Sequence, residues 1–97
     1  MSRIMFTVSY VVPDGKRAEY LGLVQKLIPF YASTGVDYSV LEDNAAHNHF
    51  REVFRYVSEE AFEASDDPET TRDVADVIDA VYGIVTNVQY TTHKAVG

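Results

Sequence analysis

The sequence predicts an α+β sandwich, a four-stranded antiparallel sheet with its helices on one face. Three observations carry that expectation. Four short runs rich in β-branched and aromatic residues alternate with period two, and two longer runs repeat their apolar residues at three and four. These runs follow one another as strand, helix, strand, strand, helix, strand. The two middle strands are joined by one short polar stretch, which suits antiparallel neighbours.

Residues 4–12 form the first expected strand. Ile4, Phe6, Val8, Tyr10 and Val12 share one face, and Met5, Thr7, Ser9 and Val11 the other. Pro13-Asp14-Gly15 supplies turn chemistry. The helix that follows spans Lys16 to about Ser33, with Ala18, Leu21, Val24, Leu27, Ile28 and Tyr31 as its apolar positions. Pro29 inside it predicts a kink or an early end near Ile28, and Gly35 closes the segment. The second strand covers 36–41, with Val36, Tyr38 and Val40 on one side. A seven-residue connection, Glu42–Asn48, leads to the third strand, 49–56.

Ser58 is placed as an N-cap, with Glu59 and Glu60 in the first helical turn where the helix dipole favours acids. Asp66-Asp67-Pro68 breaks this second helix. It resumes with Asp67 as cap and runs to about Tyr82, burying Val74, Val77, Ile78 and Val81, with Gly83 as its end. Residues 87–96 make the last strand. Two βα units joined by a hairpin fit a ferredoxin-like βαββαβ sandwich, and right-handed crossovers put the first and third strands in the centre. At 97 residues, 1–97 is a single domain.

Composition narrows the function. Eight basic against fifteen acidic residues leave a net charge of −7, which disfavours nonspecific nucleic-acid or anionic-membrane binding. The absence of cysteine excludes disulfides, thiolate nucleophiles and cysteine metal sites. The N-terminal run lacks the pattern of a signal peptide, and no stretch approaches the ~20 apolar residues of a membrane span. A cytoplasmic location is the expectation.

The two sheet faces differ. The helix-facing side collects Ile4, Phe6, Val8, Tyr10, Val36, Tyr38, Val40, Phe50, Phe54, Tyr56, Val88 and Tyr90. The other side carries Met5, Thr7, Val11, Leu41, Val53, Arg51, Arg55, Gln89, Thr91, His49 and His93. That mixture suits a face covered by a second copy, so a homodimer through the open sheet is expected. On the inner face, Tyr10, Tyr38, Tyr56 and Tyr90 fall one per strand, with Glu52 among them. A carboxylate among aromatics is desolvated and becomes a candidate acid or base. The competing account makes the tyrosines plain core residues with hydroxyls at the rim, and puts Glu52 at an edge in water.

His49 to Ala64 (HFREVFRYVSEEAFEA) passes from a strand ending in an aromatic directly into Ser-Glu-Glu-Ala-Phe-Glu-Ala. This pattern resembles the dimeric α+β barrel proteins of the antibiotic biosynthesis monooxygenase type. Tyr56 stands where a tryptophan is common in that family, and 35–40 (GVDYSV) is similar to its glycine-led second strand. Ser65 replaces a histidine, and Phe54 stands where an acid is common, with Glu52 two residues earlier. The resemblance implies a ferredoxin-like subunit, a homodimer packed through its sheets, and a pocket between sheet and helices. It implies one of three functions: metal- and flavin-free oxidation of aromatics, haem degradation, or a role with no known activity. The second helical region has no histidine to serve as a haem ligand.

Other motifs have simpler accounts. His47-Asn48-His49 spells a nuclease motif without a basic surface to accompany it. His47 and His49 could pair on a metal, but His93, expected near the start of the third strand, lies two strand spacings away, about 10 Å. Glu69, Asp73, Asp76 and Asp79 form a solvated acidic stripe. The expected function is a cofactor-independent enzyme acting on an aromatic or quinone-like molecule, with Glu52 and Tyr56 catalytic and Tyr10, Tyr38, Phe54 and Tyr90 binding substrate. No metal or cofactor is assigned. The alternative is a non-catalytic homodimeric ligand-binding or interaction domain.

Overall fold

A computed structural model describes residues 3–64 and 72–96, with the side chains of Ala64 and Arg72 left aside. The elements run β1 (Ile4–Val11), α1 (Arg17–Ser33), β2 (Asp37–Glu42), β3 (His49–Tyr56), α2 (Glu59–Ala64), α3 (Arg72–Ile84) and β4 (Thr86–Lys94). All pairings are antiparallel, and the strand order is β2-β3-β1-β4. This is the ferredoxin-like topology, with β1 and β3 central. The expected break at Asp66-Asp67-Pro68 lies outside the described residues.

Register sets the faces. Phe6 pairs with Phe54, Val8 with Glu52 and Tyr10 with Phe50 across β1 and β3, while Tyr38 pairs with Phe54 and Val40 with Glu52 across β2 and β3. Because side chains alternate along a strand, these positions all point to one side. They meet α1 and α3 in a core whose most buried members are Tyr20, Val8, Val12 and Val81. Full burial of each such aliphatic side chain contributes roughly 1.5–3 kcal/mol. Between Ser9 and Val11 the register against β4 shifts, and Asn87 takes a positive φ of 55° beside the irregularity.

Three helix expectations need correction. α1 runs to Ser33 as its apolar pattern predicts, and the early end near Ile28 is the part that does not occur. Pro29 and Gln25 are both exposed, so solvent can serve the carbonyl that proline leaves unpaired, while Leu27 and Tyr31 pack inward on either side. The buried stripe of α1 is also displaced. Tyr20, Val24 and Leu27 are buried, whereas Ala18, Leu21 and Ile28 are exposed. Gly83 does not stop α3. The helix reaches Ile84, and the Val85 amide still bonds the Val81 carbonyl, because Val81 and Val85 extend the apolar stripe by a further turn. Gly35 does close α1. Its φ is +81°, its amide donates to Ala32, and the Val36 amide donates to Tyr31, a Schellman end. Ser58 caps α2 by accepting from the Ala61 amide at 3.1 Å.

The β2–β3 loop is tied to the start of α1 by charge. Arg17 donates to both Glu42 oxygens and to Asn48 Oδ1, at 2.7 Å for the asparagine, and the Asn48 amide donates to Glu42 at 2.9 Å. Asn48 holds a positive φ of 66°, and its side-chain amide donates to Asp14. Hydrogen bonding to Arg17 and then to Asn48 lowers the Glu42 pKa to about 2. A carboxylate depressed in the fold stabilises it above the unfolded value, near 4.5, and loses that contribution as pH falls through about 2. Thermal melts from pH 6 to pH 2 should therefore show Glu42→Gln losing less stability than the wild type, the two curves converging at the acid end. Parallel curves would assign the acid sensitivity to another group.

Candidate functional site: a carboxylate at the floor of an aromatic cavity

Sheet and helices do not pack solid against each other. They enclose an open-mouthed cavity of about 890 Å³, within the range of small-molecule sites. Phe6 and Val8 of β1, Glu52, Phe54 and Tyr56 of β3, and Tyr90 of β4 supply the sheet side. Leu27, Phe30 and Tyr31 of α1, Ala61 and Phe62 of α2, and Ile78, Val81 and Tyr82 of α3 supply the helix side, and Thr34, Gly35, Val36, Asp37, Arg55 and Val57 also line it. The rings form a connected wall. Phe6 lies 5.8 Å from Phe54, 5.9 Å from Phe62 and 6.1 Å from Tyr90, nearly parallel to the last, and Tyr56 meets Phe62 at 5.3 Å.

Glu52 is the polar centre of this site. It is only 3% exposed, on a central strand, so it is not an edge residue meeting water. Its Oε1 accepts from the Tyr10 hydroxyl at 2.7 Å, and Tyr10 in turn meets the Tyr20 hydroxyl at 2.7 Å. Burial raises the Glu52 pKa above the usual carboxylate range, and the phenols of Tyr10, Tyr38 and Tyr82 oppose the rise by favouring the anion. The Tyr38 hydroxyl is buried and has no hydrogen-bond partner by geometry. Its contribution at Glu52 is thus that of a nearby dipole rather than of a formed bond. Burial, followed by the Glu52 charge, pushes all of these phenols up: Tyr31 to about 12, and Tyr10, Tyr38 and Tyr82 further still. None of them ionises at neutral pH, so each can only donate or accept a hydrogen bond.

The residues singled out from the sequence divide into two groups. Glu52, Tyr56, Phe54 and Tyr90 line the cavity, with Tyr90 63% exposed at its mouth. Tyr10 and Tyr38 do not line it. They stand behind the wall, Tyr10 holding Glu52 and Tyr38 stacked between Tyr31 and Phe54 at 4.5 and 4.9 Å. The grouping of four sheet tyrosines around Glu52 is corrected accordingly. The phenols acting on it come from β1, β2 and α3, with Tyr20 of α1 behind them. Tyr20, Tyr31 and Tyr82 were missed. The signal for Tyr20 was its i, i+4, i+7 spacing with Val24 and Leu27.

The histidines do not converge. Val11 faces His49, whereas Met5 faces His93, so six residues of β1 separate them, about 20 Å. His93 therefore lies beside the end of β3, not its start. His47 sits 3.6 Å from both Asp14 and Glu42 on the surface. Among the described residues no cluster of three or more His, Asp or Glu has the geometry to hold a metal. No helix among them is long and apolar enough to cross a membrane.

No family model matches the chain, and no curated protein matches it. Solved structures do match along the whole length. SnoaB from Streptomyces nogalater, a cofactor-independent oxygenase, superposes with a TM-score of 0.76 at 15% identity, covering 100% of this chain and 96% of that one. An antibiotic biosynthesis monooxygenase gives 0.77 at 11% identity, covering 97% and 99%. The chain has the antibiotic biosynthesis monooxygenase fold. A conserved protein from Methanosarcina mazei Go1 is as similar, with a TM-score of 0.78 at 14% identity over 96% and 92%. At such identities the likeness is one of fold, and chemistry must be argued from the site. The cavity and the Glu52 phenol cluster are both read from this chain's own residues.

Proposed function

We propose that the chain is a cofactor-independent oxygenase-type enzyme acting on a planar aromatic or quinone-like small molecule, with Glu52 as its base. The observation that supports this most is a buried carboxylate on the floor of a cavity rich in aromatic and aliphatic side chains. A flat substrate can lie against Phe6, Phe54 and Tyr56 and present an acidic hydroxyl or activated C–H to Glu52. Glu52 takes that proton, and the electron-rich conjugate base is then oxidised directly by dioxygen. One oxygen atom enters the substrate as a carbonyl and the other leaves as water, the reacting substrate carbon giving up both of its hydrogens and all four electrons, so that CH2 and O2 become C=O and H2O. The protein's part is deprotonation, orientation and exclusion of solvent. The alternative, a non-catalytic ligand-binding domain, would use the same cavity without turnover.

The expected result is dioxygen uptake with electron-rich hydroxylated polycyclic aromatics in the presence of a metal chelator, abolished by Glu52→Gln. Tight binding of such compounds without uptake would favour a ligand-binding domain. We also propose that the open sheet face is covered by a second copy. Leu41 is half exposed there, and Thr7 and Val53 lie buried in the middle of a face of mixed polar and apolar side chains. Light scattering at micromolar concentration should give twice the 10.9 kDa chain mass. A monomer mass would overturn the dimer.

A further inference from the structure

We propose that Tyr20, which does not touch the cavity, positions and tunes Glu52 through Tyr10, the two phenols forming a directed hydrogen-bond relay that ends on the carboxylate. The geometry requires a direction. Tyr10 owns one hydroxyl proton, and it is donated to Glu52 Oε1 at 2.7 Å. The 2.7 Å contact between Tyr10 and Tyr20 must then be a donation from Tyr20 to Tyr10 while Glu52 is ionised. The order is Tyr20 to Tyr10 to Glu52, across α1, β1 and β3. All three groups are nearly removed from solvent, at 0%, 2% and 3% exposure, so each bond acts in a low dielectric and polarises the next.

The relay gives Glu52 a fixed orientation. One oxygen is held by Tyr10 on the core side, so the carboxylate cannot rotate freely on the cavity floor. When Glu52 binds a proton on that oxygen, the chain can reverse by rotation of the two phenol hydrogens, Glu52 donating to Tyr10 and Tyr10 to Tyr20, with no heavy atom displaced. A charged and a neutral Glu52 are thereby both satisfied, as a base that cycles between them requires. The other groups facing Glu52 are also phenols: Tyr38 from β2, Tyr82 from α3 and, further off, Tyr31 from α1. Tyr10 donates directly to Glu52, and the other phenols act on its ionisation as neighbouring dipoles.

The catalytic consequence rests on the proposed oxygenase reading. The relay itself does not, so the test uses ligand-free protein. Carbon-13 NMR of the Glu52 side-chain carboxyl, followed against pH, reads its titration directly. Tyr10→Phe should lower its acid dissociation constant about tenfold or more, since a hydrogen bond to a charged group is lost. Tyr20→Phe, which leaves the Tyr10 contact intact, should lower it by a smaller factor, about threefold. Val12→Ala, which thins the same core and leaves every phenol hydroxyl in place, should leave the titration unchanged. Should Tyr20→Phe fail to fold, fluorinated tyrosine at position 20 is the substitute. Its stronger donor should move the Glu52 constant the opposite way. A Glu52 titration that overlays the wild type in either position-20 variant would overturn the relay. Retained turnover in Glu52→Gln with the titration shifts intact would instead overturn the oxygenase reading and leave the relay standing.

Discussion

Glu52→Gln should lower kcat on any aromatic substrate the protein oxidises by about 10²–10⁴, the range for loss of a positioned general base. Glutamine keeps the shape of the side chain and can still accept from the Tyr10 hydroxyl through its carbonyl oxygen, so the 2.7 Å contact need not be lost. What it cannot do is take a proton. Stability should move the other way. Burial raises the Glu52 pKa in the fold, so folding favours the neutral acid more than the unfolded chain does. The stability this provides is complete below the ordinary carboxylate value and is lost as pH rises through the folded pKa. Glutamine is neutral throughout, so the variant should melt at or above the wild-type temperature at pH 8 while being nearly inactive. In the wild type, kcat/KM should rise with pH along a limb set by Glu52, above the usual carboxylate range. A Gln variant that retains activity within about tenfold would assign the base elsewhere. A variant that unfolds would show that the carboxylate is structural.

How much of this was legible in the sequence depended on which distances were local. The strands were legible because their period of two persists over eight residues in β1 and β3, and that alternation put Glu52 between Phe50 and Phe54 on the inner face. The depth of Glu52 follows from the strand order, which the crossover rule supplied. Its partners did not follow. Tyr82 acts on Glu52 from α3, and Tyr20 of α1 reaches it only through Tyr10, and no period along one segment states which residues meet across layers. The α1 stripe was ambiguous for a related reason. Leu21 and Ile28 are apolar yet exposed, so apolar residues occupy more than one side of the helix and the i, i+4, i+7 row through Tyr20 does not stand out. At Gly83 propensity pointed to an end, but the pair Val81 and Val85 extended the helix by burial. Tertiary packing outweighed a glycine cost of about 1 kcal/mol.

The largest stability effect should come from Phe54→Ala, and it separates two roles that one side chain carries. Phe54 is 7% exposed on a central strand, between Phe6 on β1 and Tyr38 on β2 by register. Its ring meets Phe6 at 5.8 Å, Tyr31 at 5.2 Å and Tyr38 at 4.9 Å, so it joins three strands to α1 while also forming cavity wall. Truncation to alanine removes those contacts and should cost about 3–5 kcal/mol. For a domain of this size each kcal/mol corresponds to roughly 4–8 °C, so the melting temperature should fall by more than about 12 °C. The cost is large because the site already contains a void. The neighbours of Phe54 cannot close over a new one without moving rings that border the existing cavity. Phe54→Leu keeps most of the volume and should recover more than half of the loss. If it does so without restoring aromatic-ligand affinity, the ring itself contributes to binding. If affinity returns with stability, Phe54 serves the cavity only by keeping its wall in place.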